Sequence, residues 1–193
     1  GHEYLTLVYQ IDAHCKRLLW IGQHRSQETI KAFFTWFTPV RAMTLKYICS
    51  DMWKPYLKVI AKRASSAIHV LDRFHIMWQM NHALDRVRLA EHRRLSGRGC
   101  DVLKGSKHWW LYASENVPDR HRVRFVELKQ RNLQTARAWA IKETLMDFFY
   151  YRQMKRASDH FRSWFSWASR SKLRPIVRLA HSLRSRLGTL LNY

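Results

Sequence analysis

Two stretches decide how this chain is read: Met43–Pro55, MTLKYICSDMWKP, and Ala67–His75, AIHVLDRFH. In each, an apolar strand-like run (Met43 to Cys49, then Ala67 to Leu71) ends in an aspartate, and a helical pattern follows. A carboxylate at the carboxyl end of a strand is where an α/β fold can hold a divalent metal in its crevice. Asp51 and Asp72 are therefore the first candidate site residues. Asp51 has a competing structural use, as a cap on the helix that starts near Lys54.

Working outward towards the amino terminus, Tyr4 to Ile11 (YLTLVYQI) and Arg17 to Gly22 (RLLWIG) read as a β-hairpin with both strands largely buried. Ser26 is placed to cap a helix whose apolar face is Ile30, Phe33, Phe34 and Phe37, closed by Thr38-Pro39. Pro55 opens the next helix, with Leu57, Ile60, Ala61 and Ala64 on one face. The order up to Leu71 is β-β-α-β-α-β.

Beyond Asp72 only helical periodicity remains. Met77, Met80, Leu84 and Val87 mark a long helix that ends near Ser96-Gly97-Arg98-Gly99. A charged helix follows Pro118 and holds Val123 to Leu128; a further face carries Ile141, Leu145, Phe148 and Phe149. Two more faces comprise Phe161, Trp164, Phe165 and Ala168, and then Ile176, Leu179, Ala180, Leu183 and Leu187. At helical spacing such stripes are core packing, and Trp109-Trp110 is read the same way in preference to base stacking. The expected fold is α/β in the α+β sense: a mixed-sheet core over residues 1–95, then an all-helical region over 96–193.

The charge balance points to the partner. The 193 residues hold 35 Lys and Arg against 14 Asp and Glu, a formal net charge of +21. Such an excess suits a polyanion, and nucleic acid above all, because neutralising phosphates releases counterions. From His160 to Tyr193 there is no acid at all. Arg170, Lys172 and Arg174, then Arg178, Arg184 and Arg186, lie in that segment and are expected to track a phosphate backbone. Arg73, Lys104 and Lys107 are further candidate phosphate contacts. Cys15, Cys49 and Cys100 lack any C-x-x-C spacing, which argues against a disulfide framework or a zinc site; Cys49 reads as a core residue. No stretch resembles a membrane span or a signal peptide, so a reducing cytoplasm is the expected compartment. Gly1 in place of Met suggests a start partway through a longer protein, or a removed Met.

The succession YLTLVY, LLWIG, ETIKAFF, SDMWKPYLKVI, VLDRFHI and N-x-A-L-D-x-V-R, continued by LKGSKHWWL, ARAWAIKE and LRSRLGTLLNY, resembles the insertion-sequence transposases of the ISL-three family over essentially the whole chain. The resemblance implies a ribonuclease-H-like core interrupted after its fifth strand by a helical insertion. It also implies DNA as partner, at transposon ends and target, a homo-oligomer in the complete protein, and a bacterial, nucleoid-associated setting. The chemistry it implies is cleavage and joining of DNA strands, with two Asp and one Glu holding two Mg²⁺ (or Mn²⁺) ions about 4 Å apart. On this resemblance Asp51 is the second acid and a metal ligand. Asp72 and His75 match a D-x-x-H pair that can orient a phosphate, support the metal shell or simply cap and pack.

The departures matter as much. The first acid is expected before Gly1, and neither Glu3 nor Asp12 stands in register to replace it. The third belongs to an N-G-x-x-E-G-type segment that would follow Tyr193; Glu143 and Asp147 lie in insertion helices. With one triad acid of three, the chain alone is expected to be inactive in strand transfer. Two alternatives remain at this stage: a non-enzymatic basic nucleic-acid-binding protein, and another nuclease on the same core, such as a resolvase or ribonuclease.

Overall fold

The computed structural model describes residues 3–193. These divide into two compact units, one running to Asp72 and including Asn192, the other comprising Arg73–Leu191 and Tyr193. The mixed α/β character expected from the sequence is present, with two small sheets and a long helical region.

In the first unit, β1 (Leu5–Asp12) and β2 (Cys15–Gln23) form an antiparallel hairpin, with a register irregularity between Val8 and Tyr9. Helix α1 (Gln27–Phe37) starts where Ser26 Oγ accepts the Thr29 N–H at 3.0 Å. Thr38 stops it: at φ 69° the chain leaves helical geometry in a region that strains a β-branched residue. Thr38 then caps a short helix, α2 (Pro39–Met43), through its side chain. Strand β3 (Tyr47–Ser50), helix α3 (Lys54–Arg63) and β4 (Ile68–Leu71) complete the unit, with β3 and β4 parallel.

Its core is the face of α1 carrying Ile30, Phe33 and Phe34, packed with Ala42, Val59, Ile60 and Ala64. Val8 and Trp20 reach it from the hairpin, and the Trp20 ring meets Phe33 edge-on at 5.8 Å between centroids. Gly22 allows this: a Cβ there would lie 2.2 Å from the Trp20 ring and 2.6 Å from Thr29 Cγ2. Thr6 is buried as well, donating to the His24 carbonyl at 2.8 Å and lying 2.5 Å from Tyr56 Oη.

Three sequence expectations are corrected here. The hairpin is not largely buried: Leu5, Leu7, Tyr9 and Ile11 alternate along β1 on an exposed face, because α1 and α3 cover one side only. The strand read from Met43 begins at Tyr47, since Pro39 starts a helix that takes Met43 with it. Cys49 is exposed and not part of the core; a four-residue strand alternates faces, and Ile48 is the residue that turns inward.

In the second unit, α4 (Arg73–Ser96) buries Ile76, Met80, Ala83, Leu84 and Val87. After Gly105, which adopts φ 73°, come α5 (Lys107–Leu111) and a 3₁₀ turn, Ser114–Asn116. Helices α6 (Asp119–Gln130), α7 (Gln134–Asp147), α8 (Met154–Arg170), α9 (Arg174–Arg184) and α10 (Leu187–Leu190) follow. Helix α4 packs against α5, α7 and α9, and α8 packs against α9. Trp109 and Trp110 are buried, as their spacing predicts. Phe148 and Phe149 close α7 in a 3₁₀ turn, and Leu187 belongs to a separate short helix because the chain breaks at Ser185 and Arg186.

Buried charges join these helices. The Glu91 carboxylate, 2% exposed as a residue, accepts the Gln134 N–H at 2.8 Å, the Thr135 N–H at 2.7 Å and the Thr135 hydroxyl at 2.7 Å, capping α7 from α4. Lys142 Nζ on α7 donates to the carbonyls of Trp110, Leu111 and Tyr112 at the end of α5.

Candidate active site at two strand ends

Parallel pairing sets Ser50 opposite Leu71, and the Asp72 N–H donates to the Ser50 carbonyl at 2.8 Å. Asp51 and Asp72 thus leave neighbouring strands at the same, carboxyl end. Each sequence run places its aspartate at a strand end, and the parallel pairing brings the two ends together.

Asp51 is held on both oxygens. Its Oδ1 accepts the Trp53 N–H at 2.9 Å, an Asx-type turn that leads into α3. Its Oδ2 accepts from Arg25 Nη2 at 2.5 Å, and the Arg25 guanidinium lies 5.0 Å from the centroid of the Trp53 ring. Asp51 therefore orders the turn before α3 without capping the helix, whose N-cap residue is Trp53 with no side-chain cap hydrogen bond, and its counter-ion comes from 26 residues upstream. Ser50 Oγ lies 2.8 Å from His69 Nε2 and donates to the Asp51 carbonyl at 3.0 Å. Burial pushes the His69 imidazole below its ordinary range and favours the neutral ring. The Asn192 amide donates to the His69 carbonyl at 2.8 Å. Asp72 is half-buried, and partial desolvation, then its carboxylate, push the Cys49 thiol up.

Two carboxylates at one sheet end are fewer than a divalent-metal centre needs, and among the described residues no group of three or more His, Cys, Asp or Glu side chains can hold a metal ion. The residues present therefore do not by themselves fit the metal site that the ISL-three resemblance implies.

The family model of the ISL-three transposases, described as "Transposase", matches residues 1–193. The chain belongs to this transposase family. It is also 28% identical to the "Transposase for insertion sequence element IS1001" of Bordetella parapertussis, over 194 aligned positions that cover 99% of this chain and 47% of that relative. The chain thus spans about half the length of that curated relative. No solved structure matches it.

In this chain the other sequence-predicted residues take varied positions. His75 lies in the first turn of α4, half-buried, its ring edge-on to Phe74 at 5.8 Å. Arg73 is engaged by aromatic groups of its own unit: its guanidinium lies 5.2 Å from the Phe149 ring and 5.3 Å from the Tyr150 ring. Burial works to lower the Arg73 pKa, but hydrogen bonds to the Tyr150 and Tyr193 side chains outweigh it, and the net shift is upward. Lys104 is exposed, and Lys107 Nζ stands 3.9 Å from Asp85 Oδ2.

Among the basic residues near the carboxyl end, Arg170, Lys172, Arg174 and Arg178 are exposed. Arg184 lies over Phe165 at 4.6 Å, and Arg186 donates to the Ser182 carbonyl and hydroxyl at 2.6 and 2.8 Å. Arg186 is thereby committed to closing α9. No helix among the described residues is long and apolar enough to cross a membrane. Sequence reasoning missed Arg25 as the partner of Asp51, and no local pattern marks a pairing across 26 positions.

Proposed function

We propose that this chain is the part of an insertion-sequence transposase that carries the second catalytic aspartate, Asp51, and that the complete protein moves DNA in bacteria by cleaving and joining strands at transposon ends. The observation that carries the reading is the placement of Asp51 and Asp72 side by side at the carboxyl ends of β3 and β4, in a chain of the transposase family. In this reading the two strands belong to a ribonuclease-H-like core contributed by residues 1–95, and residues 96–193 form its helical insertion. The complete protein acts as a homo-oligomer and uses Mg²⁺ or Mn²⁺, which supplies Lewis-acid stabilisation of the reacting phosphate. Carboxylates outside the described residues are required for that ion.

What the chain's own residues do follows from their chemistry. Asp51 contributes one carboxylate, oriented by its hydrogen bond from the Trp53 N–H. Asp72 stands next to it, and His75 follows in the first turn of the next helix as a phosphate-positioning residue. Exposed Arg170, Lys172, Arg174 and Arg178 neutralise backbone phosphates without reading sequence. The isolated chain binds DNA and does not cut it. The test is incubation of the 193-residue chain with a transposon-end duplex and Mg²⁺ or Mn²⁺. Salt-sensitive binding without nicking is expected; nicking abolished by Asp51→Asn would overturn the inactivity of the chain, and absence of DNA binding would overturn the reading itself.

A further inference from the structure

The groove between α4 and α9 carries chemistry that the strand-end site does not use. It has a volume of about 410 Å³ and is lined by Trp78, His82 and Arg86 on α4 and by Pro175, Arg178 and Ser182 on α9. Trp78, His82 and Arg86 follow one another at helical i, i+4, i+8 spacing, so they form a single row on α4. Arg178 and Ser182 make the matching row on α9.

Trp78 is the informative residue. It is 52% exposed although its neighbours Ile76 and Met80 are fully buried, and although the His82 ring lies 4.2 Å away, centroid to centroid. An indole left open in a concave site costs solvation and contributes nothing to the core. Flanked by two exposed guanidinium groups in a chain of net charge +21, the groove is complementary to a flexible polyanion with flat apolar faces. Duplex DNA does not fit that description, because its bases are stacked and only its phosphates would meet Arg86 and Arg178. A single strand does: an unstacked base offers a π-face to Trp78, and its flanking phosphates reach the two arginines.

We infer that the α4–α9 groove binds unpaired DNA, with a base on Trp78 and phosphates on Arg86 and Arg178. The inference rests on the DNA reading above and narrows it to a strand state.

The test is fluorescence anisotropy of the whole chain with a labelled thymidine oligonucleotide and, separately, a duplex of equal length, each over a salt series. Trp78→Ala is expected to weaken single-strand binding at least about fivefold and leave duplex binding within twofold, while Trp78→Phe keeps most of the affinity. Arg86→Ala and Arg178→Ala are expected each to reduce the single-strand salt slope by about 0.7. An unchanged melting temperature for Trp78→Ala separates lost binding from lost folding. Single-strand affinity unaffected by Trp78→Ala, an equal loss on both DNAs, or tighter binding of an RNA of the same sequence would each overturn the groove assignment while leaving DNA binding standing. Failure of the unsubstituted chain to bind either DNA would overturn both.

Discussion

Arg25 and Asp51 form an ion pair at 2.5 Å in which the arginine side chain remains 41% exposed and the carboxylate only 14%. The more buried partner is also the one tied to backbone, through the Trp53 N–H. Asp51 is thus oriented by the turn and neutralised by the arginine, and any cation that seats on Oδ2 must first displace a guanidinium. Solvent screening at Arg25 limits what the pair adds to stability. A double-mutant cycle of Arg25→Gln and Asp51→Asn, followed by urea unfolding, is expected to give a coupling below about 1 kcal/mol. Asp51→Ala, which also removes the Asx-turn hydrogen bond to the Trp53 N–H, should cost about 0.5–1.5 kcal/mol; a coupling several times larger would contradict this account.

Glu91 is the opposite case, a carboxylate with almost no solvent contact and three donors from α7. Truncation leaves two backbone N–H groups and a hydroxyl buried without an acceptor. Glu91→Ala is expected to destabilise the chain by about 3–5 kcal/mol, and Glu91→Gln by less, since the amide oxygen still accepts. The comparison is read from denaturant midpoints at constant m-value.

His69 gives the first unit a pH dependence of known sign. Burial lowers its folded pKa below the ordinary 6.5, so between the two values the unfolded chain binds more protons than the folded one. Stability contributed by His69 is therefore complete above pH 6.5 and falls as pH drops through that value. With 11 histidines in the chain, the measurement is the difference between the parent and His69→Gln in urea midpoint from pH 5 to 8. A flatter curve for the variant is expected, and parallel curves would refute the assignment.

Gly22 tests the hairpin's attachment to α1. A methyl at this position meets the Trp20 ring and Thr29, so Gly22→Ala should cost about 1–3 kcal/mol by overpacking. The near-ultraviolet signal of Trp20 packed on Phe33 should change with it, whereas Gly188→Ala, with open space around the added carbon, should have no such effect.

The basic residues near the carboxyl end separate by what already holds them. Neutralising Lys172 or Arg174, or Arg170, which stays exposed although its guanidinium donates to Ser166 Oγ at 2.6 Å, should each lower the duplex salt slope by about 0.9, if each meets one phosphate. Arg186→Ala should leave the slope unchanged and lower stability, because Arg186 is tied to Ser182 at the end of α9. A salt titration of anisotropy for the four variants distinguishes the two groups.

Much of this was legible before any coordinates. Both strand-end aspartates, the Ser26 cap, the core face of α1 and the buried Trp109-Trp110 pair follow from spacing and residue type, because helix and strand periods are local properties. Local rules failed where a neighbour decides burial. Leu5, Leu7, Tyr9 and Ile11 look like a buried strand until it is known that helices cover only one side of the hairpin. Cys49 looks like core until the pleat of β3 turns Ile48 inward in its place.

The sequence by itself determined the family, the order of the strands and of the longer helices, and the positions of Asp51 and Asp72 at the ends of their strands. Tertiary structure alone decided that those ends are adjacent, that Arg25 neutralises Asp51, that Glu91 and Lys142 serve as buried caps, and that Trp78 stays open in the groove that Arg86 and Arg178 also line. The physical reason is range: backbone periodicity and capping act over a few residues and are written in local sequence. Charge pairing and exposure depend on which distant surfaces the packed chain brings together.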